Sequence, residues 1–178
     1  RAVPPTDPQS NFGMVERELL SHIDIPNRNV HRILGEINPE EAARRYQHEL
    51  EEALGQREAR FDLILLGLGE DGHTASLFPR TEAVNEEYLL VCSVYVPQLE
   101  TWRISLSLRV INNARRILFI VAGAKKAEIL EKVFNTEVAA KDLPATLVMP
   151  KEGTLLWMAD NDAAARIKGQ LGGGVPGL

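Results

Sequence analysis

A glycine-rich acidic turn that ends in a histidine is the part of this sequence best suited to chemistry. Asp71 and His73 are separated only by Gly72. Imidazole exchanges protons near neutral pH, and a neighbouring carboxylate can fix its tautomer and stabilise the imidazolium as it forms. The pattern therefore predicts His73 as a general base that is oriented by Asp71. A histidine that only packs or caps the turn is the alternative.

The element in front of this turn positions it. Leu63 to Leu66 form an apolar run that is too short to span a membrane and is typical of a strand buried on both faces of a parallel sheet. In such sheets ligands bind beyond the carboxyl ends of the strands. Residues 67–79 are therefore expected at the functional edge of the sheet.

The turn also matches the dinucleotide-binding fingerprint, with glycines in a Gly-x-Gly-x-x-Gly pattern over residues 67–72. We reject a dinucleotide because Glu70 and Asp71 would place two carboxylates beside the pyrophosphate. Pro79 also cuts short the helix that should follow. The remaining alternative is a tight turn whose glycines serve backbone geometry alone.

Metal binding and cysteine chemistry receive little support. Asp71 and His73 are two candidate ligands without a third, so no metal site is predicted. Cys92 is the single cysteine and lies in an apolar strand pattern, which favours an inert buried thiol and a reducing, cytoplasmic compartment. The net charge of −5 argues against a nucleic-acid surface, and no membrane span is visible.

Helical and strand patterns alternate along the chain, which predicts the α/β class. We expect a three-layer, Rossmann-like sandwich with a mainly parallel sheet and helices on both faces. Asn38 and Pro39 form a helix start signal, and Asp160 is a second cap. The predicted helices cover 10–22, 39–55, 126–134 and 161–171, and the predicted strands cover 61–67, 89–96, 103–108, 117–122 and 154–159. Serines at 105 and 107 alternate with apolar residues, which indicates a strand covered on one face.

The length of 178 residues and the hydrophobic content of 44% fit one core. We therefore expect a single domain over residues 1–171. The glycine-rich tail at 172–178 is expected to be mobile.

Residues 67–79, with the sequence GLGEDGHTASLFP, resemble the signature of the 6-phosphogluconolactonases. The sister family of glucosamine-6-phosphate deaminases and isomerases has a related Asp-Gly-His turn, but an Ala-Phe-Asn-Glu-Pro type sequence follows it. The Thr-Ala-Ser-Leu-Phe-Pro sequence at 74–79 favours the lactonases.

The resemblance continues in order along essentially the whole chain. Matching segments are Arg-Ala-Val-Pro at 1–4, Asp-Pro-Gln-Ser-Asn at 7–11, the strand from Arg103, Gly-Ala-Lys-Lys-Ala at 123–127 and Leu-Pro-Ala at 143–145. It implies a catalytic pair and a set of substrate contacts. The catalytic residues would be His73 and Asp71, and the substrate contacts would be Arg1, Asn11, Gly69, Gly72, Arg103 and Lys126. Lys125 is the neighbouring alternative, but the Gly-x-x-Lys spacing selects Lys126.

The resemblance also implies an activity, the hydrolysis of 6-phospho-D-glucono-1,5-lactone without a metal or organic cofactor. The expected partner is this small sugar-phosphate lactone, with a monomer favoured although the oligomeric state is open. An amino-sugar-phosphate deaminase or isomerase and an inactive sugar-phosphate-binding fragment are the alternatives. The family's upstream Gly-Gly-Ser/Thr phosphate turn and Asp-Glu pair are not in this sequence, so we expect an N-terminally incomplete chain. The sequence Glu-Thr-Trp at 100–102 stands where the family often has prolines.

Overall fold

The computed structural model describes residues 1–55, 59–135 and 142–167. The helices are α1 (Asn11–Glu18), α2 (Pro39–Leu54), α3 (Leu108–Ile111) and α4 (Ala127–Phe134), and the strands are β1 (Ile64–Leu66), β2 (Val91–Val96), β3 (Thr101–Leu106), β4 (Arg116–Val121) and β5 (Thr154–Ala159). The mixed α/β class with a parallel sheet is confirmed. Residues 161–167, the described part of the expected last helix, form turns and not a helix, so that prediction is wrong there. The rest of that segment and the tail lie outside the described residues.

The chain divides into two compact units. The first comprises Arg1–Ala59 and Thr81–Val110, and the second comprises Arg60–Arg80 and Ile111–Leu178. A single domain over 1–171 stays a prediction. Within the described residues, no helix has both the length and the apolar character that a bilayer span requires.

Helix α2 is the longest helix of the first unit, and local signals in the sequence set both of its ends. The side chain of Asn38 accepts hydrogen bonds from the amides of Glu40 and Glu41 at 3.0 and 3.1 Å. These bonds satisfy two donors that the first turn of a helix otherwise leaves unpaired. Gly55 ends the helix at a φ of 97°, where a side chain would be strained. The predicted helix is confirmed almost to the residue.

Strands β2 and β3 of the first unit pair antiparallel, with Cys92 opposite Ser105. The expectation that β3 is covered on one face is wrong, because Ser105 is 3% exposed and Ser107 is fully buried. The hydroxyl of Ser105 donates to the carbonyl of Leu106 at 2.9 Å, which allows a small polar side chain to be buried there. Alternation of serines with apolar residues therefore did not indicate a solvated face.

The second unit contains the parallel sheet, in the order β1-β4-β5. Ile117 and Phe119 of the central strand β4 are fully buried. Phe119 stacks on Trp157 of β5 with ring centroids 3.8 Å apart, and Phe134 of α4 meets the same indole edge-on. One face of the sheet thus carries the core of this unit.

The opposite face of the sheet is apolar but exposed. Leu65 of β1 is 58% exposed, and Ile120 of β4 and Met158 of β5 are 49% and 59% exposed. Ile120 and Met158 are register partners, so their side chains lie side by side. The expected burial of β1 on both faces is therefore wrong for this chain, which buries Ile64 and Leu66 and leaves Leu65 accessible.

Candidate active site

The glycine-rich turn begins directly after β1 and closes on itself through backbone hydrogen bonds. The amide of Gly69 donates to the carbonyl of His73 at 2.8 Å, and the amide of Gly72 donates to the carbonyl of Gly69 at 3.1 Å. Gly72 has a φ of 81°, in the left-handed region that favours glycine. Because the strand ends at Leu66, the whole turn lies at the carboxyl edge of the parallel sheet, as predicted.

His73 and Asp71 form the hydrogen-bonded pair that their spacing predicts. Oδ1 of Asp71 lies 2.6 Å from Nδ1 of His73 and 3.1 Å from its backbone amide. A carboxylate only accepts, so Nδ1 carries the proton in this contact and Nε2 has the free lone pair of the neutral ring. The imidazole is 30% exposed. This arrangement is chemically suited to general-base catalysis at Nε2, with a carboxylate in position to stabilise the imidazolium form.

Gly69 lies directly against the side chains of His73 and Asp71. A Cβ at this position would be 2.0 Å from Nδ1 of His73 and 2.6 Å from Oδ1 of Asp71. Both distances are far below van der Waals contact. Gly69 therefore provides the space in which the imidazole and carboxylate meet, and its predicted contact with substrate stays a prediction.

A second segment, residues 143–145, packs against the turn. The amide of Ala145 donates to the carbonyl of Gly72 at 3.0 Å. A Cβ on Gly72 would lie 2.5 Å from Cδ2 of Leu143 and 3.5 Å from Cδ1 of Ile129 in α4. The Leu-Pro-Ala segment at 143–145 and the first half of α4 thus fix the position of the turn. Gly72 faces protein on this side, and its predicted substrate contact is also not yet tested.

The chain after His73 folds back toward it. Thr74 is fully buried, and its hydroxyl donates to the carbonyl of Gly67 at 2.9 Å. Ala75 has a φ of 50°, and the amide of Leu77 donates to the carbonyl of Thr74 at 2.9 Å. This tight turn brings the ring of Phe78 onto His73, with centroids 4.1 Å apart and planes at 25°.

Lys126 follows β4, the direct neighbour of β1, and therefore stands at the same edge of the sheet as the His73 turn. It immediately precedes α4, and Ile129, three residues later, approaches Gly72. Among residues 1–55, 59–135 and 142–167 no carboxylate forms an ion pair with Lys126. An uncompensated lysine at this edge is suited to bind a phosphate.

Arg103, Arg1 and Asn11 belong to the first unit. Arg103 is 7% exposed, and its Nη1 donates to the Thr101 hydroxyl at 3.0 Å and the Trp102 carbonyl at 3.2 Å. Burial lowers the pKa of Arg103, and the nearby positive charge of Arg1 lowers it further. The guanidinium still stays protonated at neutral pH. The described part of the chain offers neither arginine a carboxylate partner.

Arg1 also approaches the start of α1. Its Nη1 donates to the carbonyl of Gln9 at 3.0 Å, and Ser10 caps α1 by accepting from the amide of Gly13. Asn11 is the first residue of that helix and is exposed. The structure thus brings Arg1 close both to Arg103 and to the segment that carries Asn11, as one cationic cluster of the first unit.

Sequence reasoning missed three structural contributors to the site. Phe78, Thr74 and Leu143 were parts of matched motifs without an assigned role, and their contacts with His73, Gly67 and Gly72 depend on the folded chain. The sequence signal was their presence inside those motifs. In the described portion of the chain, no group of three or more potential ligands could hold a metal ion.

Comparisons with known proteins agree on one family. The family model described as glucosamine-6-phosphate isomerases/6-phosphogluconolactonase matches residues 1–157. The 6-phosphogluconolactonase of Aggregatibacter actinomycetemcomitans is 41% identical over 164 residues, which cover 92% of this chain and 69% of that protein.

Two solved structures extend the comparison. The crystal structure of 6-phosphogluconolactonase from Thermotoga maritima superposes with a TM-score of 0.75 at 30% identity, covering 90% of this chain and 69% of that one. A monomeric glucosamine-6-phosphate deaminase gives a TM-score of 0.72 at 23% identity, covering 92% and 70%. The deaminase shares the fold, and at this identity the likeness goes no further.

Proposed function

Because the chain belongs to the family of glucosamine-6-phosphate isomerases and 6-phosphogluconolactonases, we propose that it hydrolyses 6-phospho-D-glucono-1,5-lactone to 6-phospho-D-gluconate, a step of the oxidative pentose phosphate pathway. The observation that carries the proposal is the 2.6 Å contact between Asp71 and Nδ1 of His73 at the carboxyl edge of the parallel sheet. This contact leaves Nε2 as the base that lactone hydrolysis needs.

This geometry supports the following course for the reaction. Nε2 of His73 takes a proton from water as the water oxygen attacks the lactone carbonyl, and Asp71 stabilises the resulting imidazolium. The tetrahedral intermediate collapses by breaking the bond to the ring oxygen. His73 returns its proton to that oxygen, which becomes a hydroxyl, and the new carboxylic acid loses its own proton to solvent. Proton transfer alone completes this sequence, so neither a metal nor an organic cofactor is required.

The negative oxygen of the intermediate needs hydrogen-bond donors. The amides of Gly69 and Gly72 are the obvious candidates in a glycine turn, but both already donate to carbonyls within it. The amides of Glu70 and Asp71 have no acceptor among the described residues. We propose them as donors to the oxyanion.

Phosphate recognition is the role we assign to Lys126 and, within the first unit, to Arg1 and Arg103. Each is a cation at a position that the family resemblance selects, and each lacks a carboxylate partner in the described chain. Asn11 is proposed as a further polar contact. We propose a cytoplasmic enzyme, supported by the buried free thiol of Cys92, and a monomer, which stays a prediction from the sequence.

The test measures the hydrolysis of two lactones by variants of two lysines. Lys126→Ala should lower kcat/KM for the phosphorylated lactone by roughly ten- to a hundredfold, because a charge-assisted contact contributes about 1.5–3 kcal/mol. Hydrolysis of unphosphorylated gluconolactone should change much less. Lys125→Ala is the matched control, since Lys125 is the adjacent exposed lysine, and it should leave both rates near the wild-type values.

His73→Ala tests the chemical step, and turnover should fall by about a hundredfold or more with the fold intact. Wild-type turnover in this variant would remove His73 from the mechanism. Release of ammonia from glucosamine 6-phosphate, with no hydrolysis of the lactone, would instead assign the chain to the deaminase branch of the family.

A further inference from the structure

Phe78 supports the face of the imidazole that we propose as the general base. The two ring centroids are 4.1 Å apart and the planes are inclined by 25°. Phe78 is 4% exposed, whereas the His73 side chain is 30% exposed. A ring that is fixed in the core therefore lies against one that is partly open to solvent.

The hydrogen bond to Asp71 does not by itself fix the imidazole plane. It restrains Nδ1, but combined changes in the χ1 and χ2 torsions of His73 can still tilt the ring about this contact, and such a tilt moves Nε2 away from its target. The close approach of Gly69 limits only the edge formed by Nδ1 and Cε1. A stacked partner opposes this rotation, because tilting the imidazole would drive it into the Phe78 ring.

The backbone fixes Phe78 in turn. Thr74 and Leu77 form an isolated antiparallel bridge that reverses the chain between His73 and Phe78. Both residues of the bridge are fully buried, and the Thr74 hydroxyl ties it to the carbonyl at the end of β1. The support for the imidazole is thus built on the same strand end as the turn that carries His73.

We propose that Phe78 is a positioning residue, which holds the His73 ring in the orientation that directs Nε2 at the attacking water. This inference rests on the proposed function, because it concerns the same base. Its consequence is kinetic: loss of the stack should lower kcat while substrate binding, and hence KM, stays nearly constant.

The experiment compares Phe78→Leu, which removes the ring, with Phe78→Tyr, which keeps it. Phe78→Leu should lower kcat by about tenfold with KM within about twofold, and Phe78→Tyr should recover most of the loss. Phe119→Leu is the control for packing, since Phe119 is also a buried phenylalanine but stacks on Trp157. It should lower the melting temperature without the same loss of kcat.

The NMR signals of the His73 ring protons give a readout that needs no substrate. Stacking on Phe78 should shift them upfield, and the shift should vanish in Phe78→Leu but persist in Phe78→Tyr and Phe119→Leu. Wild-type kcat in Phe78→Leu, or an equal loss of kcat in Phe119→Leu, overturns the positioning role. A wild-type protein that shows the shifted signals but hydrolyses no lactone contradicts the proposed function instead, so the two failures are distinguishable.

Discussion

Replacement of Gly69 by alanine should remove activity while leaving the fold in place. The new Cβ would lie 2.0 Å from Nδ1 of His73, where ordinary contact begins at 3.4 Å, so the imidazole must move by about 1.4 Å. The same Cβ would lie 2.6 Å from Oδ1 of Asp71 and would push the carboxylate away too. Misplacing a reacting group by about 1 Å can cost about a hundredfold in rate, so we expect kcat to fall by roughly that factor.

The fold should survive because the clash falls on side chains that can rotate. The three nearest atoms to the added Cβ belong to His73 and Asp71 side chains, and Gly69 is not among the glycines with positive φ. The matched control is Gly67→Ala, two residues earlier in the same turn, where nothing lies within 4 Å of the added Cβ. Alanine there should be neutral or should stabilise the protein slightly by restricting the unfolded chain.

Steady-state kinetics and thermal unfolding of Gly69→Ala and Gly67→Ala test this prediction. The expected result is a large loss of kcat in Gly69→Ala with a melting temperature close to that of the wild type, and near-normal behaviour in Gly67→Ala. Full activity in Gly69→Ala would refute the assigned position of the imidazole. A collapse of the melting temperature would show instead that Gly69 serves the backbone of the turn.

Three further predictions follow from other contacts. Asp71→Asn should lower turnover by about a hundredfold or more, because an amide can accept the hydrogen bond but cannot balance the imidazolium charge; steady-state kinetics with unchanged turnover would contradict this role. Burial raises the pKa of Cys92 from 9.0 to about 11, so iodoacetamide should label the folded protein very slowly at pH 8 and faster as pH rises toward 11, as mass spectrometry would show. Because burial disfavours the thiolate, the neutral Cys92 thiol contributes to the stability of the folded state below about pH 9, and this contribution is lost between about pH 9 and 11. Fast labelling at pH 8 would rule out the buried thiol. Asn38→Ala removes two hydrogen bonds at the start of α2 and should lower the free energy of unfolding by about 1 kcal/mol in urea titrations; an unchanged value would mean that this cap contributes nothing.

Residues that lie close together in the sequence determine several of the features that could be predicted. The cap of α2 and the contact of Asp71 with His73 each join residues a few positions apart, and the structure shows both. The predicted bounds of β5 are confirmed too, although its pairing with β4 joins distant segments. Interactions between such near neighbours in the sequence depend on backbone geometry and residue type alone. The sequence therefore determined where His73 lies, which carboxylate contacts it and which strand end presents the pair.

The tertiary structure decided everything that depends on distant parts of the chain. The burial of Ser107 and the exposure of Leu65 are set by which surfaces meet, and no local pattern specifies them. The contact of Leu143 with the Gly72 turn joins segments about seventy residues apart. Even the stack of Phe78 on His73, only five residues away, requires the buried bridge between them, because neither ring could hold that orientation without the core that fixes it.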